Sequence, residues 1–236
     1  MANNKHPVAV ITGASEGLGH ALAHALDRHG WTLVLDARNT SRLQDSVRGL
    51  DHAHPIAGDV TDADHRAALV ARTAELGGAT LLVNNASTLG ASPQPTVADL
   101  NPHVLEAVFS TNLRAPVELV RALLPQLRAS GGRILNISSD AAVGGYPGWG
   151  AYGASKAALD QLSLVLAAEE PTVRVYAVDP GDMRTRMHQD AFPGEDISDR
   201  PPPEDVVPHL VTLIEGDLPS GRYRAADVAV SAGVGR

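Results

Sequence analysis

Short apolar runs separated by segments with helical spacing make up most of this chain. The runs Val8 to Thr12, Thr32 to Leu35, Leu81 to Asn84, Arg133 to Ile137, Val173 to Val178 and Ala226 to Val230 lack strict apolar/polar alternation. That is the pattern of strands covered on both faces. Between them, Gly17 to His29, Ser41 to Leu50, Asp62 to Leu76, Pro102 to Ala129, Gly150 to Glu169 and Glu204 to Glu215 carry Ala, Leu and Val at helical spacing and stop at Gly, Pro or Ser. The alternation predicts an α/β fold: a mostly parallel, doubly wound sheet with helices on both faces and right-handed crossovers. No repeat, linker or low-complexity tract divides it, so residues 1–236 are expected to form one domain. The irregular stretch from Gly181 to Pro203 is rich in Asp, Pro and Arg and is expected to be a mobile flap over a site, stiffened by Pro201, Pro202 and Pro203.

Composition narrows the picture. Aromatic residues are only 3%, so the core must rest on Ala, Val and Leu. A formal charge of −8 without a Lys/Arg run argues against nucleic acid or an anionic membrane as the main partner. The absence of cysteine excludes disulfides and thiolate chemistry. The start, MANNKHPVAVITG, is too short for a signal peptide, and no run of 18 apolar residues occurs, so a cytoplasmic protein is expected. His20, His24 and His29 recur at near-helical spacing, but without Cys partners or a carboxylate cage they read as surface histidines rather than a metal site.

The chemistry concentrates in two places. Tyr152 and Lys156 are four residues apart, one helical turn, with Ser139 thirteen residues upstream of the tyrosine. A free phenol has a pKa of about 10, and lowering it by roughly 3 units takes on the order of 4 kcal/mol, which a close ammonium and a cationic cofactor ring could supply. The second place is the TGASEGLG turn at Thr12 to Gly19, between an apolar run and an Ala/Leu helix. Glycines there permit a tight turn and close backbone approach, and the helix N-terminus offers N–H groups to a pyrophosphate. An ordinary glycine turn is the alternative.

TGASEGLG, Asp59-Val60, Asn84-Asn85-Ala86, Asn112, Ser139, Tyr152 to Lys156 and Pro180-Gly181 to Thr185 together resemble the short-chain dehydrogenase/reductase family over nearly the whole chain. The resemblance implies one Rossmann-type domain with strand order 3-2-1-4-5-6-7 and a nicotinamide cofactor across the carboxyl edge of the sheet. It implies that Gly13, Ser15, Gly17, Leu18 and Gly19 wrap the pyrophosphate and ribose, that Asp59 and Val60 flank the adenine, and that Asn85 and Ala86 lie under the adenine-side ribose. Pro180 and Gly181 lead to Thr185, which reaches the carboxamide. Tyr152 would exchange a proton with the substrate oxygen, Lys156 would lower its pKa and bind ribose, and Ser139 would hold the oxyanion. Ser138 is then a strand-end hydroxyl. Asn112, inside the Pro102 to Ala129 helix, would hold a water; a helix-surface Asn is the alternative. The family usually has Gly where this chain has Ser87, and a Cβ there is expected to crowd the cofactor or the neighbouring loop.

Cofactor choice turns on LVLDARN. An acid at the end of the second strand would bind a ribose 2′-OH, and an Arg a 2′-phosphate. Ala37 takes the usual acid position, Asp36 precedes it and Arg38 takes the phosphate position, so NADP(H) is favoured over NAD(H). Glu16 pulls the other way, and a solvated Arg38 is the alternative. His188 and Gln189 could line the substrate pocket or be loop polarity; Tyr146, Trp149 and Met187 could form an apolar wall, or Trp149 could anchor its loop. The expected activity is NADP(H)-dependent interconversion of a small or medium ketone or aldehyde with its alcohol. Rival readings are a non-catalytic nicotinamide sensor or scaffold, an NAD-dependent alcohol dehydrogenase and, last, sugar-nucleotide epimerase or dehydratase chemistry. The resemblance also implies a homodimer or homotetramer built on the helices Pro102 to Ala129 and Gly150 to Glu169.

Overall fold

A computed structural model describes residues 6–230; Met1 to Lys5, the polar start, lies outside them. The chain runs β1 (Val8–Ile11), α1 (Gly17–Arg28), β2 (Thr32–Ala37), α2 (Thr40–Ser46), β3 (Ala53–Ala57), α3 (Ala63–Glu75) and β4 (Leu81–Asn84). It continues through α4 (Pro102–Phe109), a π-helical turn (Ser110–Arg114), α5 (Ala115–Ser130), β5 (Arg133–Ile137), α6 (Gly150–Glu169), β6 (Arg174–Asp179), α7 (Arg186–Ala191), α8 (Pro203–Glu215) and β7 (Gly221–Arg224). All strands are parallel, in the order β3-β2-β1-β4-β5-β6-β7. This is the Rossmann-type order the resemblance implied.

The central strands are covered on both faces. In β1, Ala9 and Ile11 face one layer with Leu22, Leu26, Leu43 and Leu210, from α1, α2 and α8. Val8 and Val10 face the other with Leu69, Leu119 and Leu123, from α3 and α5. Each layer buries far more apolar side chain than a half-solvated sheet could, the reason periodicity of two is lost along these strands. Aliphatic side chains dominate both layers; Trp31 and Tyr176 are the large aromatics within them.

The sequence reading departs from the structure at the margins. β3, AHPIA, is an edge strand of intermediate burial, where Pro55 is tolerated because one side of the ladder is open. β7 is Gly221–Arg224, GRYR, and not Ala226 to Val230; residues 225–227 form a short 3₁₀ turn. Charged residues suit an edge strand because they oppose pairing with other chains, and they hide it from a search for apolar runs. The segment Pro102 to Ala129 is two helices joined by the π turn. Pro116 has no N–H with which to close an α-helical bond onto the Asn112 carbonyl. The stretch from Gly181 to Pro203 contains α7 and is not wholly irregular. Among the described residues, no helix is long and apolar enough to cross a membrane.

Candidate active site

Every loop that leaves the carboxyl ends of β1 to β6 contributes to one cleft, at the point between β1 and β4 where the strand order reverses. Of the residues that the resemblance assigned to catalysis or cofactor contact, all except Gly19 and Asn112 line it.

The glycine turn is pinned from two sides. Thr12 Oγ accepts from the backbone N–H groups of Asn85 and Ala86, both at 3.0 Å, while the Asn85 side-chain amide donates to the carbonyls of Thr12 (2.8 Å) and Gly13 (3.0 Å). Asn85 therefore shapes the turn, a role distinct from the ribose contact implied for it. Gly13 has φ +67°, and a Cβ there would lie 2.9 Å from the Ala86 Cα, so only glycine fits. Gly19 packs against the Asn85 amide and the Gly13 carbonyl beneath the turn. Helix α1 has no side-chain cap at its N-terminus, so its first N–H groups face the cleft free of an intrahelical partner. This is a cradle that fits a pyrophosphate.

Asp36 is 2% exposed and fully committed: one oxygen accepts from the Gly13 N–H at 2.9 Å, and the other lies 2.9 Å from His65 Nε2. Through both oxygens it braces the glycine turn and ties it to α3. Arg38 is exposed and has no hydrogen-bond or ion-pair partner among the described residues. Glu16 faces Arg42 at 3.5 Å, which offsets its charge beside Arg38. Asp59 binds the N–H and hydroxyl of Thr61 at 2.8 and 2.7 Å, which fixes the loop after β3 along the cleft wall next to Val60.

At the other end Ser139, Tyr152 and Lys156 converge. Tyr152 and Lys156 share a face of α6, with the Lys156 Nζ 5.5 Å from the phenol ring centre. The ammonium donates to the Ile137 carbonyl at 2.7 Å, not to the phenol. Burial pushes the Tyr152 phenol up to about 12; hydrogen bonds with Ser87 and Ser139 oppose the rise and the carboxylates of Asp140 and Asp179 add to it. Burial pushes the Lys156 ammonium down to about 8, against the influence of Asp160. The lowered phenol pKa expected from the lysine is thus not a property of the protein groups alone. Ser139 donates to the Asp140 carboxylate at 3.0 Å and accepts from the Ala141 N–H at 3.1 Å.

Asn112 is wholly buried at the π turn, not on a helix surface. Its amide nitrogen donates to the Thr88 carbonyl (3.0 Å) and the Ser155 hydroxyl (3.1 Å), and its oxygen accepts from the Thr88 N–H (2.9 Å) and the Ser87 hydroxyl (3.2 Å). Ser87 does not crowd its loop: its side chain is hydrogen-bonded into the site.

From the segment Gly181 to Pro203, residues between Gly181 and Ala191 line the cleft. Thr185 caps α7 and stands beside Gly17. His188 lines the cleft and packs on Phe192, while Gln189 braces the segment by donating to the Phe192 and Glu195 carbonyls. Trp149 lies edge-on to Tyr152 with ring centres 5.5 Å apart, and Leu89 and Met187 extend this apolar wall. Tyr146 is half exposed, and the Asp140 carboxylate beside it holds its phenol above the usual value. His20, His24 and His29 are half-buried; His24 bonds the Ser46 carbonyl and His29 faces Glu215, so they tie α1 to its neighbours.

Arg222 was missed entirely. From β7 it reaches Asp160 at 2.7 Å, the Ser139 carbonyl at 3.0 Å and Asp179 at 4.0 Å, behind Ser139. Misplacing the last strand concealed it, and no local motif marks it.

Residues 7–196 match the model of the short chain dehydrogenase family. The oxidoreductase YciK of Escherichia coli is 31% identical over 89% of this chain and 86% of its own length. Serine 3-dehydrogenase of Agrobacterium fabrum is 36% identical over 75% of this chain and 72% of its own. A short chain dehydrogenase from Shigella flexneri, solved with NADP, superposes with a TM-score of 0.86 at 29% identity, covering 93% of this chain and 97% of that one. With that likeness, the sheet order and the cleft geometry taken together, the chain is an oxidoreductase and belongs to the short-chain dehydrogenase/reductase family.

Proposed function

We propose that this enzyme uses NADPH to reduce an uncharged, apolar ketone or aldehyde of small or medium size to its alcohol. The observation that carries the reading is the convergence of Ser139, Tyr152 and Lys156 at the end of a cleft whose other end holds the uncapped N-terminus of α1 and an unpaired Arg38. When bound, the nicotinamide supplies a hydride and, once oxidised, a positive ring. The rest is the work of the chain. Ser139 orients the substrate oxygen, and the raised pKa of Tyr152 keeps its hydroxyl protonated and ready to donate to that oxygen. The buried Lys156 favours the resulting phenolate. Trp149, Leu89 and Met187 bury an apolar substituent, and Asp140 with Asp182 at the cleft repels anions.

Arg38 supports the phosphorylated cofactor, since its guanidinium has no anionic partner to leave among the described residues, while Asp36 is buried and already bonded through both oxygens. NADP in the Shigella flexneri relative is in keeping with this. The segment from Gly181 to Pro203 acts as the substrate flap. Exposed Leu162, Leu164 and Val165 on α6 and Val117 on α5 support a homodimer through these helices, which light scattering tests.

The decisive variant is Tyr152→Phe. It is expected to abolish turnover across a carbonyl panel while calorimetric affinity for NADPH stays within about threefold, a change under 1 kcal/mol. Undiminished turnover would refute the assignment.

A further inference from the structure

We propose that Arg222 is a positioning residue of this site: by bonding the Ser139 carbonyl and the Asp160 carboxylate at once, it fixes Ser139 against the helix that carries Tyr152 and so sets the rate of the chemical step. The inference rests on Ser139 and Tyr152 both acting on the substrate oxygen.

Two clamps join the end of β5 to one face of α6. Tyr152, Lys156 and Asp160 follow one another at four-residue steps and share that face. Lys156 forms the first clamp, donating to the Ile137 carbonyl at 2.7 Å. One residue on, the Ser138 N–H bonds the Val178 carbonyl of β6 at 2.7 Å. Beyond it, the Ser139 carbonyl accepts from the Ala142 N–H of its own turn at 3.1 Å and from Arg222 Nη2 at 3.0 Å. Arg222 Nε donates to Asp160 at 2.7 Å, so the second clamp runs from Ser139 through the guanidinium to α6. Both nitrogens belong to one rigid planar group, which a flexible ammonium does not reproduce.

Arg222 differs from an ordinary edge-strand charge. Its side chain is only 25% exposed, and its partner Asp160 is buried. The same Nη2 lies 4.0 Å from Asp179, whose other oxygen accepts from the Gly181 N–H at 3.0 Å. Arg222 does not line the cleft, so it acts on the reaction through what it holds. The Ser139 hydroxyl is bonded to the Asp140 carboxylate and the Ala141 N–H of its own turn, and the side chain therefore moves with the carbonyl that Arg222 grips. A donor to a developing oxyanion works only at hydrogen-bond distance, and a misplacement of about 1 Å costs on the order of a hundredfold in rate.

The test is kinetic, well below every melting transition, with the best-reduced ketone of the carbonyl panel. Arg222→Met is expected to lower kcat about ten- to hundredfold, while KM for the ketone and the calorimetric affinity for NADPH stay within about threefold. Asp160→Asn with Arg222→Met carries no stranded charge but still lacks the donor to Ser139. Relative to Asp160→Asn alone, it should therefore show the same fall in kcat. Recovery of kcat along with thermal stability in that double variant overturns the proposal, because Arg222 would then only support the fold. A second cycle uses Ser139→Ala, read in single turnovers by the loss of NADPH absorbance. With no hydroxyl left to place, Arg222→Met should change the residual rate less than about threefold, and a full ten- to hundredfold loss in that background also overturns the proposal. Failure of the oxidoreductase reading shows separately, as an active Tyr152→Phe enzyme.

Discussion

Replacing Arg222 by Met removes the guanidinium that joins three segments behind Ser139. Asp160, whose side chain is 10% exposed, loses the 2.7 Å bond to one oxygen, and its other oxygen already has no partner among the described residues. Removing one member of a buried pair typically costs about 3–5 kcal/mol, chiefly because the remaining charge is stranded. The Arg222 side chain is 25% exposed, so water can reach part of the gap and the lower end of that range applies, about 3 kcal/mol. For a chain of this length that corresponds to a fall in Tm of about 6–12 °C. Thermal melts followed by circular dichroism measure it, with urea midpoints confirming an unchanged slope. The double variant Asp160→Asn with Arg222→Met buries no stranded charge and is expected to regain about 2 kcal/mol relative to the sum of the single effects. A Tm within about a degree of the unaltered protein, or strict additivity in the cycle, would refute the reasoning.

Three other outcomes follow from the geometry. Lys156 releases its proton at about 8 in the folded protein against 10.5 in the unfolded chain, so the unfolded state binds more protons between those values and stability rises with pH there. Lys156→Met should remove that rise and relieve a penalty of order 3 kcal/mol at neutral pH in urea titrations without cofactor, whereas a parallel pH profile would contradict it. Tyr152 has the opposite sign: the folded state keeps the proton from 10 to about 12, so stability falls across that window, and Tyr152→Phe should abolish the fall. Arg38→Ala should weaken NADPH about ten- to hundredfold in calorimetric titration and leave NADH unchanged, and equal losses would discard Arg38 as a phosphate contact. Asp36→Ala should weaken both cofactors alike, because it unpins the glycine turn; a selective loss of NADH would instead give Asp36 a ribose contact.

The sequence by itself determined the inner architecture and the shared helix face of Tyr152 and Lys156. Strands such as VAVI at Val8–Ile11 and LLVN at Leu81–Asn84 are buried on both faces, and continuous apolarity reports that directly. The four-residue step from Tyr152 to Lys156 lies within one helix, where spacing alone fixes the shared face. The edge strands AHPIA and GRYR were invisible because an edge needs no apolar run and tolerates Pro and charge. Only the tertiary structure decided what the polar side chains hold. Asp36 became a brace because His65, twenty-nine residues on, closes over it. Arg222 meets Asp160 across sixty-two residues, and Ser87 meets Asn112 across twenty-five. Local pattern records how much of a residue is buried along its own element, but the partner that a buried polar group requires comes from whichever segment the fold brings beside it.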